Sequence, residues 1–182
     1  SGVELRTLIG HSKEVKFCDI DALGNKSVST ALDGSLKVWD IQKGVTTLNK
    51  DDVIPGAPCA ISPDGTVFAT IMKVRSPKKQ NLNVWDTKSG ALLLTIFQPH
   101  KEKITSCALS LDGTIIVTTS VDGTIAVWDG KTGKKKRLYK HRRFGKSPVQ
   151  YCAITANGEI VISVGNDQKI HLWENIDGYK PD

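Results

Sequence analysis

His100, Ser120 and Asp122 are the three side-chain types of an acyl-transfer triad, and they lie close together with Trp128 just beyond them. Such a set does chemistry when the imidazole takes the hydroxyl proton and the carboxylate orients the imidazole. Its surroundings point to a structural role instead. Asp122 sits in Ser120-Val121-Asp122-Gly123-Thr124. An Asp-Gly pair between two alternating runs marks a hairpin turn, because glycine reaches positive φ without penalty. No Gly-x-Ser-x-Gly elbow raises the serine. No catalytic residue is assigned, and no enzyme is expected.

Four cysteines raise the question of zinc or disulfides. Cys18, Cys59, Cys107 and Cys152 are spaced 41, 48 and 45 residues apart, with no Cys-x-x-Cys pair to begin a metal site. Each is followed six residues later by glycine: Gly24, Gly65, Gly113 and Gly158. They read as one position of a repeated unit, filled by reduced core thiols. No metal and no cofactor are expected.

The elements that position these residues repeat as well. The phrase around Trp128 returns as Asp33-Gly34-Ser35-Leu36-Lys37-Val38-Trp39-Asp40, and in worn form around Trp85 and Trp173. Every tryptophan is followed five residues later by glycine, and the Trp-to-Trp intervals are 46, 43 and 45. Between these fixed points lie short runs of period two and no convincing helical period, so the fold class is all-β. An interval of this size is the length of a four-stranded propeller blade. On these residues the chain resembles the WD40 repeat family over essentially its whole length. That resemblance is specific for fold and says little about activity.

The resemblance implies four four-stranded antiparallel blades, in approximate repeats 9–48, 49–97, 98–139 and 140–178 of a single WD40 domain, residues 1–182. Residues 3–8 match the outer strands of the repeats and precede the first of them. They are expected to supply the outer strand that the last repeat lacks, as in the closure of WD40 rings. Three completions stay open: two copies forming an eight-bladed ring, a fragment of a longer propeller, and a closed four-bladed monomer. In the family, a structural hydrogen-bond network links loop, turn and strands, and here it maps onto His100, Ser120, Asp122 and Trp128. At the serine position the other repeats have Ala31, Met72 and Gly165, so the network is expected to be complete only in repeat three. Burying Trp128 alone removes about 200 Å² from water, roughly 5 kcal/mol.

Binding residues are sought where the repeats are enlarged. Repeat two gains residues between its second and third strands, around Lys73, Arg75, Ser76, Lys78 and Lys79; repeat four gains them before its first strand, around Arg142, Arg143 and Lys146. Both insertions are basic, and in a propeller both emerge on the same face. Loops on a rigid scaffold are where recognition residues sit, although lysine runs also simply solvate a surface. The expected partner is an acidic or phosphorylated protein segment, with RNA or an anionic lipid surface as the alternative. Ser76-Pro77-Lys78-Lys79 resembles the substrate pattern of proline-directed kinases, which makes Ser76 a candidate phosphosite. From Lys131 to Lys146 nine of sixteen residues are Lys or Arg; those on the outer strand read as protection of a sheet edge. The net charge of +6, the hydrophobic share of 39% and the absence of a signal-peptide pattern at Ser1-Gly2-Val3-Glu4 give the expectation of a cytoplasmic or nuclear protein.

Overall fold

The structure is a computed structural model that describes residues 2–74, 80–141 and 147–174. All fifteen of its elements are strands, and none of the described residues forms a helix able to cross a membrane. They form four antiparallel sheets in chain order. The first blade is β1 (Val15–Ile20), β2 (Lys26–Ala31), β3 (Leu36–Asp40) and β4 (Val45–Lys50). The second is β5 (Cys59–Ile61), β6 (Val67–Lys73), β7 (Gln80–Asp86) and β8 (Leu92–Phe97). The third is β9 (Ile104–Leu109), β10 (Ile115–Ser120), β11 (Thr124–Asp129) and β12 (Lys135–Lys140). The fourth, as described, has β13 (Val149–Ile154), β14 (Ile160–Gly165) and β15 (Ile170–Glu174). This is the four-bladed β-propeller architecture that the repeats imply.

The turns form for the reason read from the sequence. Gly123 takes φ +85°, and the Asp122 Oδ1 carboxylate accepts the Thr124 amide at 2.9 Å to close the hairpin between β10 and β11. Gly34 and Asp33 do the same between β2 and β3, with the Ser35 amide at 3.0 Å. At Trp39, Trp85 and Trp128 the pairing with the outer strand slips by a bulge, so the indole leaves the regular ladder at that point.

Each blade packs one face against the inner strand of the next. Val117, Ile125 and Val127 of the third blade cluster with Val149, Cys152 and Ile154 of β13. The corresponding Val28, Leu36 and Val38 of the first blade and Ala69, Leu82 and Val84 of the second are at most 2% exposed. The fourth blade breaks the pattern. Ile162, Ile170 and Leu172 occupy these same positions at 36%, 66% and 68% exposure. On the opposite side, Val15 and Ile20 of β1 are 49% and 54% exposed, where Ile104 and Leu109 of β9 are 1% and 5%.

Two expectations are corrected here. Residues 3–8 form no strand in this chain. The segment runs beside the first blade instead, where the Arg6 guanidinium donates to the Lys43 carbonyl at 3.1 Å, and β15 keeps a free edge among the described residues. The cysteines, all free, are not uniformly core residues: Cys59 and Cys107 are buried, Cys152 is partly so and Cys18 is exposed. The cause is the missing neighbour, because a cysteine of an inner strand points back toward the preceding blade and Cys18 has none. Burial raises the thiol pKa of Cys59 and Cys107, and that of Cys152 to about 11, so these three stay protonated.

Candidate functional site

His100, Asp122 and Trp128 are brought together in the third blade, and Ser120 is not part of their link. The Trp128 indole donates to Thr118 Oγ1 at 2.9 Å, and His100 Nε2 lies 2.7 Å from the same oxygen. The Thr124 hydroxyl donates to the Asp122 carboxylate, so its oxygen accepts from His100 Nδ1–H at 2.8 Å. In the neutral ring Nε2 then accepts the Thr118 hydroxyl proton, while the Thr118 oxygen accepts the indole. Asp122 Oδ2 accepts the Lys101 amide at 2.9 Å, which ties the loop before β9 to the hairpin. Burial opposes the charged form of Asp122, but bonds from His100, Thr124 and the Lys101 amide outweigh it. They hold its carboxyl well below the usual range.

Strand geometry explains the misplaced serine. Trp128 pairs with Ile116, so Thr118 is two residues along β10 on the same face and Ser120 is four. At about 3.3 Å per residue those positions are roughly 7 and 13 Å away, and an indole spans only the first. Ser120 Oγ accepts the Asp122 amide instead. The same shift changes the reading of the other blades. Ser29 takes the Trp39 indole and His11 Nε2, each at 2.8 Å, and His11 Nδ1 reaches Asp33 Oδ2 at 3.0 Å. Ser163 takes the Trp173 indole and His141 Nε2, each at 2.8 Å. The network is therefore built in three blades. In the second, Thr70 Oγ1 and the Trp85 indole are buried with no hydrogen-bond partner among the described residues. The signal was present in the sequence as a hydroxyl ten residues before Trp39, Trp128 and Trp173.

As chemistry, these arrangements are closed. Thr118 is fully buried, and its oxygen already serves an indole and an imidazole. No substrate reaches it.

The fourth blade carries one more group. His171 Nε2 lies 2.7 Å from Asp167 Oδ2, and His141 Nδ1 lies 3.4 Å from the same oxygen. The two imidazole centroids are 4.2 Å apart. Burial lowers the His141 pKa, against the opposing pull of Asp167.

Among the expected binding residues, Lys73 lies exposed at the end of β6, near the Gly34 turn of the first blade. Arg75, Ser76, Lys78, Lys79, Arg142, Arg143 and Lys146 lie outside the described residues. An open groove of about 780 Å³ runs along the outer edge of the third blade, bordered by Lys101, Lys135, Lys140, Glu102 and Leu138. Lys135 also sits over the Trp128 ring at 4.9 Å, so this rim lysine covers an aromatic face as well as the sheet edge.

Comparisons with known proteins bear on identity. The pattern of the family described as "WD domain, G-beta repeat" matches residues 2–40, 91–129 and 134–174. The unmatched stretch includes the second blade's β5 to β7, where the indole and threonine lack partners. Autophagy-related protein 16 of Arabidopsis thaliana is 34% identical over 137 residues, 72% of this chain and 25% of that protein. U3 small nucleolar RNA-associated protein 12 of Saccharomyces cerevisiae is 32% identical over 68% of the chain and 12% of its own length. Target of rapamycin complex subunit wat1 of Schizosaccharomyces pombe is 29% identical over 67% and 36%. The matched region thus spans well under half of each relative. Repeat spacing, blade topology, the indole-centred networks and these matches agree: the chain belongs to the WD40, G-beta repeat family.

Proposed function

We propose that this chain is a non-catalytic protein-interaction scaffold that presents a basic loop face to an acidic or phosphorylated protein segment. The observation that carries the reading is the groove beside the third blade, where Lys101, Lys135 and Lys140 outnumber the acidic Glu102 and Asp122, the latter already engaged by Thr124 and the Lys101 amide. Lys73 and Lys103 add exposed charge at the same end of the blades. Arg75, Lys78, Lys79, Arg142, Arg143 and Lys146 would extend this face, and phosphate on Ser76 would add about −1.5 to −2 charges to it. One relative is named as a subunit of a target of rapamycin complex and another as a protein associated with the U3 small nucleolar RNA, which supports a role among partners. Free cysteines and these relatives favour the cytoplasm or nucleus.

The test is capture of a fluorescent acidic peptide, with and without a phosphoserine, by the chain and by a variant with Lys78, Lys79, Lys101 and Lys140 changed to Glu. A drop of at least tenfold supports the face; unchanged capture rejects it. Stronger binding of RNA or of phosphatidylserine vesicles than of peptide, falling steeply with salt, would move the reading to the alternative partner.

A second reading rests on the exposed ends. Ile162, Ile170 and Leu172 lack the blade that covers their equivalents, and Val15, Cys18 and Ile20 lack the preceding one. These are the two halves of the interface that the chain makes internally three times. Two copies joined through both would bury them in an eight-bladed ring. Light scattering should then give about twice the chain's 19.8 kDa. Ile170→Glu with Leu172→Glu should return it to one copy. A monomer at all concentrations would leave these faces to further blades of a longer propeller.

A further inference from the structure

The geometry points to a three-ligand site for a divalent transition ion of the zinc class at His141, Asp167 and His171. Their nearest ligand atoms all lie within 4.8 Å of one another. Around a tetrahedral ion with bonds of about 2.0–2.1 Å, ligand atoms sit roughly 3.4 Å apart. The His141 Nδ1 to Asp167 Oδ2 separation of 3.4 Å already equals that edge. His171 Nε2, 2.7 Å from Asp167 Oδ2, would shift away from that oxygen and toward His141 Nδ1 to even out the three edges, and its side chain is partly exposed.

The second observation is an unsatisfied atom. The His141 side chain is fully buried, its Nδ1 has no hydrogen-bond partner among the described residues, and that nitrogen faces Asp167 Oδ2 at 3.4 Å. In the first blade Ser35 lies 3.1 Å from His11 Nδ1, and in the third Thr124 lies 2.8 Å from His100 Nδ1. The matching residue of the fourth blade is Lys169, which has no hydroxyl to offer. His171 in turn stands where the other blades have Lys37, Asn83 and Ala126. Two substitutions thus convert a closed hydrogen-bond network into a histidine pair around one carboxylate. Ser163 holds the far nitrogen of His141 at 2.8 Å and itself accepts the Trp173 indole. That bond fixes the ring with Nδ1 inward, the outer-shell support that metal-bound histidines commonly have.

The donor set selects the ion. Two imidazoles and one carboxylate suit Zn²⁺, Co²⁺, Ni²⁺ or Cu²⁺ and disfavour Mg²⁺ and Ca²⁺, which take oxygen ligands. The fourth position is open to water or to a side chain of a partner. Cysteine spacing, on which the expectation of no metal rests, says nothing of a histidine–carboxylate trio. A bound ion would tie His141 to the β14–β15 hairpin and to β15, whose outer edge is unpaired among the described residues.

The experiment uses the full chain, stripped with chelator and titrated with Zn²⁺ and separately with Co²⁺. The expected result is one equivalent bound, visible Co²⁺ bands of a tetrahedral nitrogen–oxygen site, and no response to Mg²⁺. His171→Ala keeps the blade intact, since alanine is the native residue at the matching Ala126, and should weaken binding about 10–100-fold or more. Asp33→Asn, in the first blade's network, should leave it unchanged. Absence of stoichiometric binding, or binding untouched by His171→Ala, would overturn the site.

Discussion

Replacing Thr118 by valine keeps the side chain's shape and removes one oxygen. That oxygen takes the Trp128 indole at 2.9 Å and holds His100 Nε2 at 2.7 Å. The His100 side chain is 1% exposed, so water does not replace the lost bond. Each buried polar group left unpartnered costs about 1–3 kcal/mol, and the added methyl returns about 0.8 kcal/mol. With two such groups, the net loss is then roughly 1–5 kcal/mol. At about 2–4 °C per kcal/mol for a chain of this size, the unfolding midpoint falls by roughly 6–12 °C for a mid-range loss near 3 kcal/mol. The second blade supplies the control. Thr70 occupies the matching position, is fully buried, and its Oγ1 has no partner among the described residues. Thr70→Val deletes an unsatisfied hydroxyl, so the effect should be neutral or stabilising by up to about 1 kcal/mol. Circular-dichroism melts and urea titrations of both variants, with Ser120→Ala alongside, decide the matter. Equal losses at Thr118 and Thr70, or a larger loss at Ser120 than at Thr118, would refute the assignment of the hydroxyl.

Acid sensitivity follows from the same network. The Asp122 carboxyl is held below its unfolded value near 3.9, so its contribution is present above that pH and is lost as pH falls toward the folded value. Asp122→Asn should be less stable at pH 7 and should lose less on going from pH 5 to pH 3, measured by urea midpoints. Gly123 and Gly24 both have positive φ, but a Cβ at Gly123 would lie 3.1 Å from the Ser147 carbonyl oxygen whereas Gly24 faces open space. Gly24→Ala should therefore cost only the conformational penalty of about 1–2 kcal/mol, and Gly123→Ala clearly more, by thermal melts. In the native chain a thiol reagent should label Cys18 quickly, Cys152 slowly, and Cys59 and Cys107 only on unfolding. Protection of Cys18 that appears with rising protein concentration would place it inside the interface between copies.

Much of this architecture was legible because its signals are local. The Asp-Gly turns at Asp33 and Asp122, the glycine five residues after each tryptophan and the alternating runs each specify a short piece of backbone. Their recurrence supplied the blades. The network was legible only in part. His100, Asp122 and Trp128 are fixed by turn and bulge, but which hydroxyl joins them depends on the register between β10 and β11, and a one-pair error moves the candidate by two residues. His171 carried no signal of its own, since a lone histidine on a strand is ordinary. It becomes distinctive only when the pairing of β14 with β15 sets Ser163 opposite it, in a blade where Lys169 has replaced a hydroxyl.

The place of residues 3–8 illustrates a different limit. Their apolar alternation gives them the character of an outer strand but does not say whose. An outer strand needs an edge with free carbonyls and amides, and among the described residues β15 offers one. Within this chain the segment lies instead by Lys43 and Gly44, with Val3 and Leu5 74% and 95% exposed. Those side chains on the first blade, and on the fourth the β15 edge, unpaired among the described residues, with the exposed Ile162, Ile170 and Leu172, are complementary. Placing the first blade of another copy against the fourth would cover the face and bring its residues 3–8 to that edge in a single step. Cutting the chain before residue 9 separates the contributions. If the strand matters, the truncated chain should associate more weakly than the intact one while Ile170→Glu with Leu172→Glu abolishes association. If truncation changes nothing, the face alone holds the copies together.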